Sequence, residues 1–531
     1  MRLPEAGTPD RWHLVAVVLV SIVFLFPIWF TGYPPLLDWP NHLARAYVLA
    51  WYAKVPEFQN AFEVRWEVLP NLGVDILGTL LLRWLPYSLA SKTILSLALL
   101  LFVAGCISVS LGFHQRVSLT TVIALYFAYN FMFFYGFVNY ALGIGLFLLT
   151  YGYWLQSDHS PSTKRLFHLT LLGVCCFFSH ISAFVFLILV LGTHVVVSLV
   201  QRKLTLTRMA NVAASVALPT VLFAIYNLKY SERANSLGLR WEGIQSKLKG
   251  FAYLFASYDF GVDVLFAGLL LLLLLLRLRS LPVKPHSVGA VVGFVYLLSF
   301  LAFPTAGYVG TWAIDRRFVV PAVVVTLLAV GVPHFPLRKN LILLALTTTL
   351  VIARVAWIWS QWLPLSESIH QQVNLFQQMF SRGDWIYPVM MLDRQDKRSW
   401  VKQMAFGHVI CYAVITRSAI TPSLFAYEGQ QPIKFRDPRT GCIEIYPPFP
   451  SPENLFDVAL LKTRYDYVYG FRLTADYECY FNRHFNLVYR DKDVLVFATK
   501  QQASSPPPPP RPSPNGKATG DSPTHAAPPS R

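Results

Sequence analysis

The sequence is dominated by apolar runs that short polar connections separate. A helix needs roughly 20 apolar residues to cross the hydrocarbon core of a bilayer. Runs of about this length lie at 14–31, 89–111, 118–136, 139–155, 166–178, 180–200, 209–228, 262–279, 287–304, 318–334 and 340–359. Two of these runs are short, which is tolerated where a helix is buried by its neighbours or lines a cavity. The pattern predicts an α-helical polytopic membrane protein with about 11 transmembrane helices.

Lysine and arginine residues predict how these helices cross the membrane. Membrane proteins carry an excess of Lys and Arg in their cytoplasmic loops. With a cytoplasmic N-terminus, the connections on that side are all short and basic, namely His114–Arg116, Lys164–Arg165, Gln201–Arg208, Arg277–Lys284 and Arg338–Lys339. The opposite side then receives 32–88, 137–139, 179–180, 229–261, 305–317 and everything after 360. We therefore expect a multi-pass membrane protein with a cytoplasmic N-terminus and a C-terminal region on the opposite, outer side.

One apolar segment, Leu72–Leu85, does not fit this series of spans. It contains Asp75 and Arg83 and is bounded by Pro70 and Pro86. Counting it as a span would invert every later loop and place the basic clusters outside. We predict that it forms an interfacial helix on the outer side.

After residue 360 the sequence becomes mixed polar and apolar. Strand-like runs and helical stretches alternate over 385–498, with strands predicted at Tyr387–Leu392, Tyr465–Phe471, Phe485–Tyr489 and Val494–Thr499 and helices at Trp400–Ile415 and Ala475–His484. The last two strands flank a short polar turn and predict a hairpin. Beyond residue 501 the proline-rich composition is typical of disorder. The predicted units are a transmembrane domain over 1–362, a small extracytoplasmic α/β domain over 363–500 and a disordered tail over 501–531.

The charge and the cysteines exclude several other classes of protein. The net charge is +17, but the basic residues lie in short clusters between apolar runs, so nucleic acid is not an expected partner. The six cysteines include no CxxC spacing, which argues against a cysteine zinc site. An oxidising compartment permits one bridge among the three C-terminal cysteines. We expect it between Cys442 and Cys479, with Cys411 unpaired in an amphipathic run.

The first outer loop, Gly32–Arg45, carries the most informative polar residues. Asp38 follows the first span within a few residues, so it lies close to the outer membrane interface. Prolines on both sides stiffen the backbone around it. From Asn41 the pattern is helical, which places His42 and Arg45 on one helix face. Asp38 is a candidate base, and the alternative is that it caps the helix that follows.

Further candidates lie in the other outer connections. His180 occupies a turn between two spans, where a polar group is costly unless it faces protein or a wet cavity, and Asn139 is predicted on the same side. The alternative for His180 is a packing role. Asp259 precedes the 262–279 run as a possible second acid, although helix capping is the stronger interpretation.

Arg316 and Arg317 directly precede a late span on the outer side, at headgroup depth. They are candidates for binding a phosphate, and the alternative is that they reach the interface as Lys and Arg do at many helix ends. A carboxylate suits hard cations, so Asp38 with His42 is also compatible with Mg²⁺ or Mn²⁺. Two ligands identify no metal, and a metal-independent site is equally compatible with the sequence.

These features together resemble the GT-C superfamily of membrane glycosyltransferases, and more narrowly its poorly characterised bacterial members. The resemblance rests on the first-loop acid, on the soluble region after the last span, and on four motifs: Asp38–His42, Gly136–Gly143, Ser179–Ser182 and Asp315–Phe318. It implies a polyprenyl-phosphate-linked sugar as donor, membrane lipids as surroundings, and a location in the bacterial inner membrane with the C-terminal region in the periplasm. It also implies that Asp38 is the general base for an acceptor hydroxyl, with Arg316 and Arg317 stabilising the phosphate leaving group.

Two other classes of function remain open from the sequence. A transporter or flippase usually places ionisable residues deep inside its spans and contains internal repeats. Here Arg354 is the main charge inside a span and no repeat is evident. A non-catalytic membrane assembly protein that uses the outer domain is the second alternative.

Overall fold

The structure is a computed structural model that describes residues 9–157, 162–234, 238–279, 287–307, 311–330, 337–391, 400–437, 440, 452 and 455–499. Helices predominate in this part of the chain. They are α1 (Pro9–Trp29), α2 (Trp39–Trp51), α3 (Pro56–Ala61), α4 (Gly73–Leu81), α5 (Tyr87–His114), α6 (Leu119–Leu125), α7 (Phe131–Phe134), α8 (Val138–Gln156), α9 (Thr163–Ser179), α10 (Ile181–Val200), α11 (Leu206–Ala234), α12 (Ile244–Ala252), α13 (Phe260–Arg279), α14 (Ser287–Ala302), α15 (Val319–Ala329), α16 (Leu337–Met379), α17 (Trp400–Met404), α18 (Cys411–Arg417), α19 (Val458–Arg464) and α20 (Ala475–His484).

The apolar runs form the helices that a membrane requires. Among the described residues, seven helices are long and apolar enough to cross a bilayer, namely α1, α5, α8, α10, α11, α13 and α16, and α14 is a shorter apolar helix. Many of their apolar side chains are exposed, as expected for helices that face lipid rather than water. The polytopic helical class predicted from the sequence is confirmed.

The predicted span 118–136 is not one continuous helix. α6 ends at Leu125, and α7 begins only after Asn130, whose side chain accepts hydrogen bonds from the backbone N–H groups of Met132 and Phe133. This cap favours a new helix start over continuation. Residues 119–134 are buried throughout. An interrupted backbone is tolerated at this depth because surrounding protein satisfies its polar groups.

The last long helix runs further than the apolar pattern predicted. α16 continues from Leu337 to Met379 without interruption, beyond the apolar run 340–359. Its final turns are amphipathic, and Phe376 packs on Tyr469 of the C-terminal region with 5.3 Å between ring centroids. The predicted boundary between residues 362 and 363 falls within this helix, and the division into domains stays a prediction.

A small α/β region follows α16. Its four-stranded sheet contains β4 (Ile386–Met390), β6 (Tyr467–Phe471), β7 (Asn486–Arg490) and β8 (Val494–Ala498) in the order β4-β6-β8-β7. β4 and β6 are parallel, whereas β8 pairs antiparallel with both β6 and β7. The predicted hairpin and the helix Ala475–His484 are confirmed. Cys442 lies outside the described residues, so its bridge to Cys479 stays a prediction.

A second pairing joins the C-terminal region to the first outer loop. β1 (Phe62–Val64) pairs antiparallel with β5 (Ile433–Phe435), and α18 packs against α2. A two-residue pair, β2 (Ala306–Gly307) with β3 (Thr311–Trp312), precedes a 3₁₀ turn at Arg316–Phe318. These contacts bring segments that are distant in sequence to one end of the helical bundle. That end contains Asp38.

The orientation of this bundle is testable by reporter fusions. We expect fusions at Gln115 and Arg202 to report a cytoplasmic location, because both positions lie in basic connections. A fusion after Trp362 should report the periplasm. A cytoplasmic signal after Trp362 would reverse the predicted orientation and remove the site from the outer face.

Candidate functional site

Asp38 lies at the start of α2, where the backbone of a neighbouring segment fixes it. Its N–H donates to the Tyr135 carbonyl at 3.0 Å. Gly136 approaches from the same segment with a φ of +81°, and a Cβ there would lie 2.5 Å from the Asp38 nitrogen. Only glycine combines this conformation with so close an approach. Within the described residues, the Asp38 side chain makes no capping hydrogen bond to α2, so helix capping does not account for its position.

The Asp38 carboxylate faces a histidine from the C-terminal region. His408 Nε2 lies 3.5 Å from Asp38 Oδ1. The predicted helix Trp400–Ile415 is instead divided into α17 and α18, and His408 lies in the turn between them. Its ring is buried, and Nδ1 lies 2.9 Å from the Ser423 hydroxyl. No local motif in the sequence marks His408 as part of a site.

Asn41 connects α2 to the same C-terminal segment. Its Oδ1 accepts from the Phe425 N–H at 2.8 Å, and its Nδ2 donates to the Ser423 carbonyl at 2.5 Å. The same Nδ2 lies 3.4 Å from His408 Nδ1. Asn41 is fully buried, so these bonds have no competition from water. These hydrogen bonds fix the position of the His408 ring beside Asp38.

A buried ion pair supports α2 from the other side. Arg45 Nε donates to Asp75 Oδ1 at 2.6 Å, and Arg45 Nη2 donates to Asp75 Oδ2 at 3.0 Å. Both side chains are almost fully buried. The same Nη2 lies 3.0 Å from Nδ1 of His42, one turn earlier on α2. Asp75 belongs to α4, the helix predicted at the interface. The sequence analysis did not predict that Asp75 pairs with Arg45.

Asn139 has a bridging role next to the site. Its Oδ1 accepts from the Val74 N–H at 2.7 Å, and its Nδ2 donates to the Asn71 carbonyl at 2.7 Å. Asn71 Oδ1 in turn accepts from the Ile181 N–H at 2.9 Å. Asn139 therefore ties the start of α4 to α8 and, through Asn71, to the turn that contains His180.

His180 occupies this turn as predicted, and it is buried. Its Nδ1 accepts from the Ser182 N–H at 3.0 Å, and its ring stands edge-to-face with Tyr140 at 5.6 Å. Burial, with the positive charge of Arg317 and a contribution from His42, lowers the pKa of His180 well below its usual value.

The neighbouring residues Arg316 and Arg317 have different surroundings. The Arg316 guanidinium lies 5.0 Å from the ring centroids of both Tyr253 and Trp312, and Nη2 pairs with Glu242 at 3.0 Å. The Arg316 guanidinium therefore contacts protein side chains in these interactions. Arg317 lies over the Phe137 ring and donates to the Trp312 carbonyl at 3.0 Å.

Arg317 is the arginine that interacts with the groups around Asp38. Burial lowers its pKa to about 10, and electrostatic interactions with Tyr140, Asp315 and Asp38 oppose this shift. An arginine with this pKa is still protonated at neutral pH. Asp38 and Arg317 therefore provide one negative and one positive charge to the same region.

Asp259 belongs to another part of the fold. Its Oδ1 accepts from the Val262 N–H at 3.1 Å, so it caps the start of α13.

Of the residues predicted from the sequence, the structure brings Asp38, His42, His180 and Arg317 together, and it adds His408. We call these five residues the polar cluster. Arg45 and Asn139 support it, whereas Arg316 and Asp259 contact other groups.

The histidines of the polar cluster are neutral at pH 7. Burial, followed by the positive charge of Arg45 and a contribution from His408, lowers the pKa of His42 well below its usual value. Burial lowers the pKa of His408 to about 3. A neutral imidazole has one nitrogen that donates and one that accepts. The polar cluster therefore combines a carboxylate, a guanidinium and three neutral rings.

Comparisons with known proteins identify the fold. No family model and no curated protein matches the chain. The chain is similar to the crystal structure of ArnT from Cupriavidus metallidurans bound to undecaprenyl phosphate, with a TM-score of 0.56 at 10% identity, covering 94% of this chain and 99% of that one. The apo structure of the same ArnT gives a TM-score of 0.56 at 11% identity, with 93% and 99% covered.

This likeness extends over the transmembrane helices and the C-terminal region together, because it covers nearly the whole of both chains. It shows that the chain has a fold like that of ArnT, in agreement with the polytopic membrane architecture that the sequence predicted. At such low identity it establishes the fold alone.

Proposed function

We propose that the chain is a membrane glycosyltransferase that transfers a sugar from a polyprenyl-phosphate donor to an acceptor at the outer face of the bacterial inner membrane. The main support is the buried polar cluster, in which Asp38 and Arg317 lie close enough for their charges to interact. The fold adds support, because the similar ArnT binds undecaprenyl phosphate.

The reaction needs a base on one side of the sugar and a cation on the other. Asp38 accepts the proton of the acceptor hydroxyl while that oxygen forms a bond to the anomeric carbon. The bond between the anomeric carbon and the phosphate oxygen breaks, and the polyprenyl phosphate leaves with the electron pair. A phosphate leaving group needs positive charge rather than a proton donor. Arg317 supplies that charge in the proposed reaction.

The C-terminal segment belongs to the proposed catalytic unit. His408 supports Asp38 through a contact of 3.5 Å, and Asn41 and Ser423 hold the His408 ring. A base keeps its geometry only if its neighbours are fixed by packing and hydrogen bonds. We expect that the helical bundle without residues 400–437 lacks activity for this reason.

The two arginines provide a matched pair of variants. Arg317→Ala should lower kcat/KM for the lipid donor by roughly a hundred- to a thousandfold, the usual cost of removing one group that stabilises transition-state charge. Arg316→Ala should lower the melting temperature, because it removes the Glu242 pair and the contacts with Tyr253 and Trp312. Its turnover per folded molecule should remain close to that of the wild type.

Initial rates at varied donor concentration, measured beside the detergent melting temperature, separate these effects. Equal kinetic losses in both variants would show that Arg317 has no special relation to the phosphate. Arg317→Lys is the conservative control, since it keeps the charge but loses the planar guanidinium.

Transfer itself is measured with purified protein in lipid nanodiscs. Polyprenyl-phosphate sugars labelled in the sugar are supplied together with a bacterial envelope fraction as the source of acceptors. We expect the label to leave the lipid donor and to appear in an acceptor. Label that stays on the donor but crosses the bilayer of proteoliposomes would instead establish a flippase.

A further inference from the structure

Two histidines of the polar cluster share one hydrogen-bonding feature. His42 Nδ1 lies 3.0 Å from Arg45 Nη2, and a guanidinium donates but never accepts. His180 Nδ1 accepts from the backbone N–H of Ser182 at 3.0 Å. Both Nδ1 atoms therefore act as acceptors. In a neutral ring the proton must then lie on Nε2.

The same assignment holds for His408. Its Nδ1 faces the amide nitrogen of Asn41 at 3.4 Å. The orientation of that amide is fixed, because Oδ1 accepts from the Phe425 N–H while Nδ2 donates to the Ser423 carbonyl. The nearer neighbour of Nδ1 is the Ser423 hydroxyl at 2.9 Å, which is able to donate to it. The Asp38 carboxylate, 3.5 Å from Nε2, only accepts, so the neutral ring carries its proton on Nε2 and accepts at Nδ1.

This arrangement is opposite to that of a metal site. A histidine that binds a metal through Nε2 usually donates its Nδ1–H to a carboxylate or a carbonyl. Here donors occupy the Nδ1 positions, so each Nε2 carries a proton and has no lone pair for a metal. The rings are suited to donate hydrogen bonds. Asp38 with His42, the pair considered for Mg²⁺ or Mn²⁺, does not fit a metal centre for this reason.

Four donor atoms in and beside the polar cluster have no hydrogen-bond partner among the described residues. In the part of the chain that the structure describes, His42 and His180 have no further hydrogen-bond partner at Nε2. Two buried guanidinium nitrogens, Arg45 Nη1 and Arg317 Nε, also have no hydrogen-bond partner among the described residues. Buried donors are normally satisfied, so the two buried guanidinium nitrogens indicate a place for an acceptor group. The four atoms donate and none of them accepts.

Building on the proposed function, we infer that His42 and His180 form a metal-free binding site for the donor phosphate, with each neutral ring donating its Nε2–H to a phosphate oxygen beside Arg317. A phosphate diester suits these donors because its non-bridging oxygens only accept hydrogen bonds. A sugar hydroxyl must also donate, and Asp38 is the group in the cluster that accepts.

The surroundings of the two rings keep them neutral and correctly oriented. Arg45 is a positioning residue for His42, and Asp75 holds Arg45 by two hydrogen bonds. The charged group close to His180 is Arg317, and the other titratable group close to it is His42. Protonating either ring would add a positive charge beside an existing guanidinium. Phosphate binding by these rings should therefore not require protonation near pH 6.5.

The test uses the full chain in nanodiscs with EDTA present and measures binding of the methyl diester of undecaprenyl phosphate. This probe has no second ionisation, so its charge is constant between about pH 6 and 8. His42→Leu and His180→Leu should each weaken binding by about ten- to a hundredfold, the cost of losing a hydrogen bond to a charged group. His42→Gln and His180→Gln should retain most of the affinity, because the glutamine amide donates from a position near Nε2.

His168→Leu is the matched control, since that ring contacts Tyr153 on α8 and lies outside the polar cluster. It should bind the probe like the wild type. Melting temperatures are measured for every variant, and the Gln variants report on binding even if a Leu variant unfolds.

The possible outcomes separate the inference from the proposed function. Metal-free binding that is constant over pH and depends on a donor at positions 42 and 180 would support both. Binding that is unchanged in all four variants would overturn the inference and leave the proposed function standing. Binding that needs an added divalent cation, or that strengthens as the pH falls through 6.5, would also overturn the inference. A wild-type protein that does not bind the probe would refute both.

Discussion

Replacing Asp38 by asparagine is expected to leave the chain folded and to lower turnover by roughly two to four powers of ten. Asparagine has nearly the same size, so the backbone bond to Tyr135 and the close approach of Gly136 are preserved. Its side-chain oxygen still accepts from His408. An amide does not take a proton from the acceptor hydroxyl, so the variant lacks the base while it keeps the site.

Asp259→Asn is the control for this substitution. Asp259 caps α13, and asparagine is an equally good cap, so stability and turnover should both stay close to wild type. Activity is expressed per monodisperse folded molecule, with the melting temperature measured beside it. If Asp38→Asn retained full turnover with an identified donor and acceptor, Asp38 would be structural and another base would be needed.

Removing Asp75 should have the largest effect on stability. Asp75→Ala leaves the buried guanidinium of Arg45 without its partner carboxylate. Breaking a buried ion pair by removing one partner typically costs about 3–5 kcal/mol of the free energy of unfolding. We expect a large loss of folded protein in detergent and a marked fall in the melting temperature of what remains.

A double variant separates the stability of this pair from its role in the site. Arg45→Met with Asp75→Leu should recover much of the lost stability, because replacing a buried pair by apolar groups of similar volume is often neutral. Turnover should stay low, since His42 loses the donor at its Nδ1. Full turnover in a stable double variant would contradict the positioning role of Arg45.

The sequence predicted well those elements that depend on the residues within or next to them. Apolar length marks the spanning helices, and alternation with a polar turn marks the hairpin of β7 and β8. Helix α20 has the bounds that its pattern predicted. Asp38 and His180 were also identifiable, because a polar group beside a span is costly unless it has a role.

The contacts that complete the site are not local. Asn41 and His408 lie 367 positions apart, and they meet because β1 pairs with β5 and α18 packs on α2. No pattern near His408 encodes that meeting. The partner of Arg45 was also hidden, because Asp75 resembles an ordinary polar residue of an interfacial helix until the packing of α4 on α2 is known.

Packing also separates residues that the sequence treated as equivalent. Arg316 and Arg317 are adjacent and have the same chemistry, but they project to different neighbours because they lie in one tight 3₁₀ turn. The break between α6 and α7 has a similar origin. The apolar length of 118–136 predicted one continuous span, whereas in the structure Asn130 caps α7 and both short helices are buried.

The most direct test of the proposed function is the stoichiometry of the products. Wild-type protein is reconstituted with a polyprenyl-phosphate sugar and an acceptor fraction, and mass spectrometry follows the free polyprenyl phosphate and the glycosylated acceptor together. We expect equal amounts of both products from the wild type, and rates lower by roughly two to four powers of ten from Asp38→Asn at equal folded concentration. Polyprenyl phosphate released without a glycosylated acceptor, or equal rates from Asp38→Asn, would refute the proposed function.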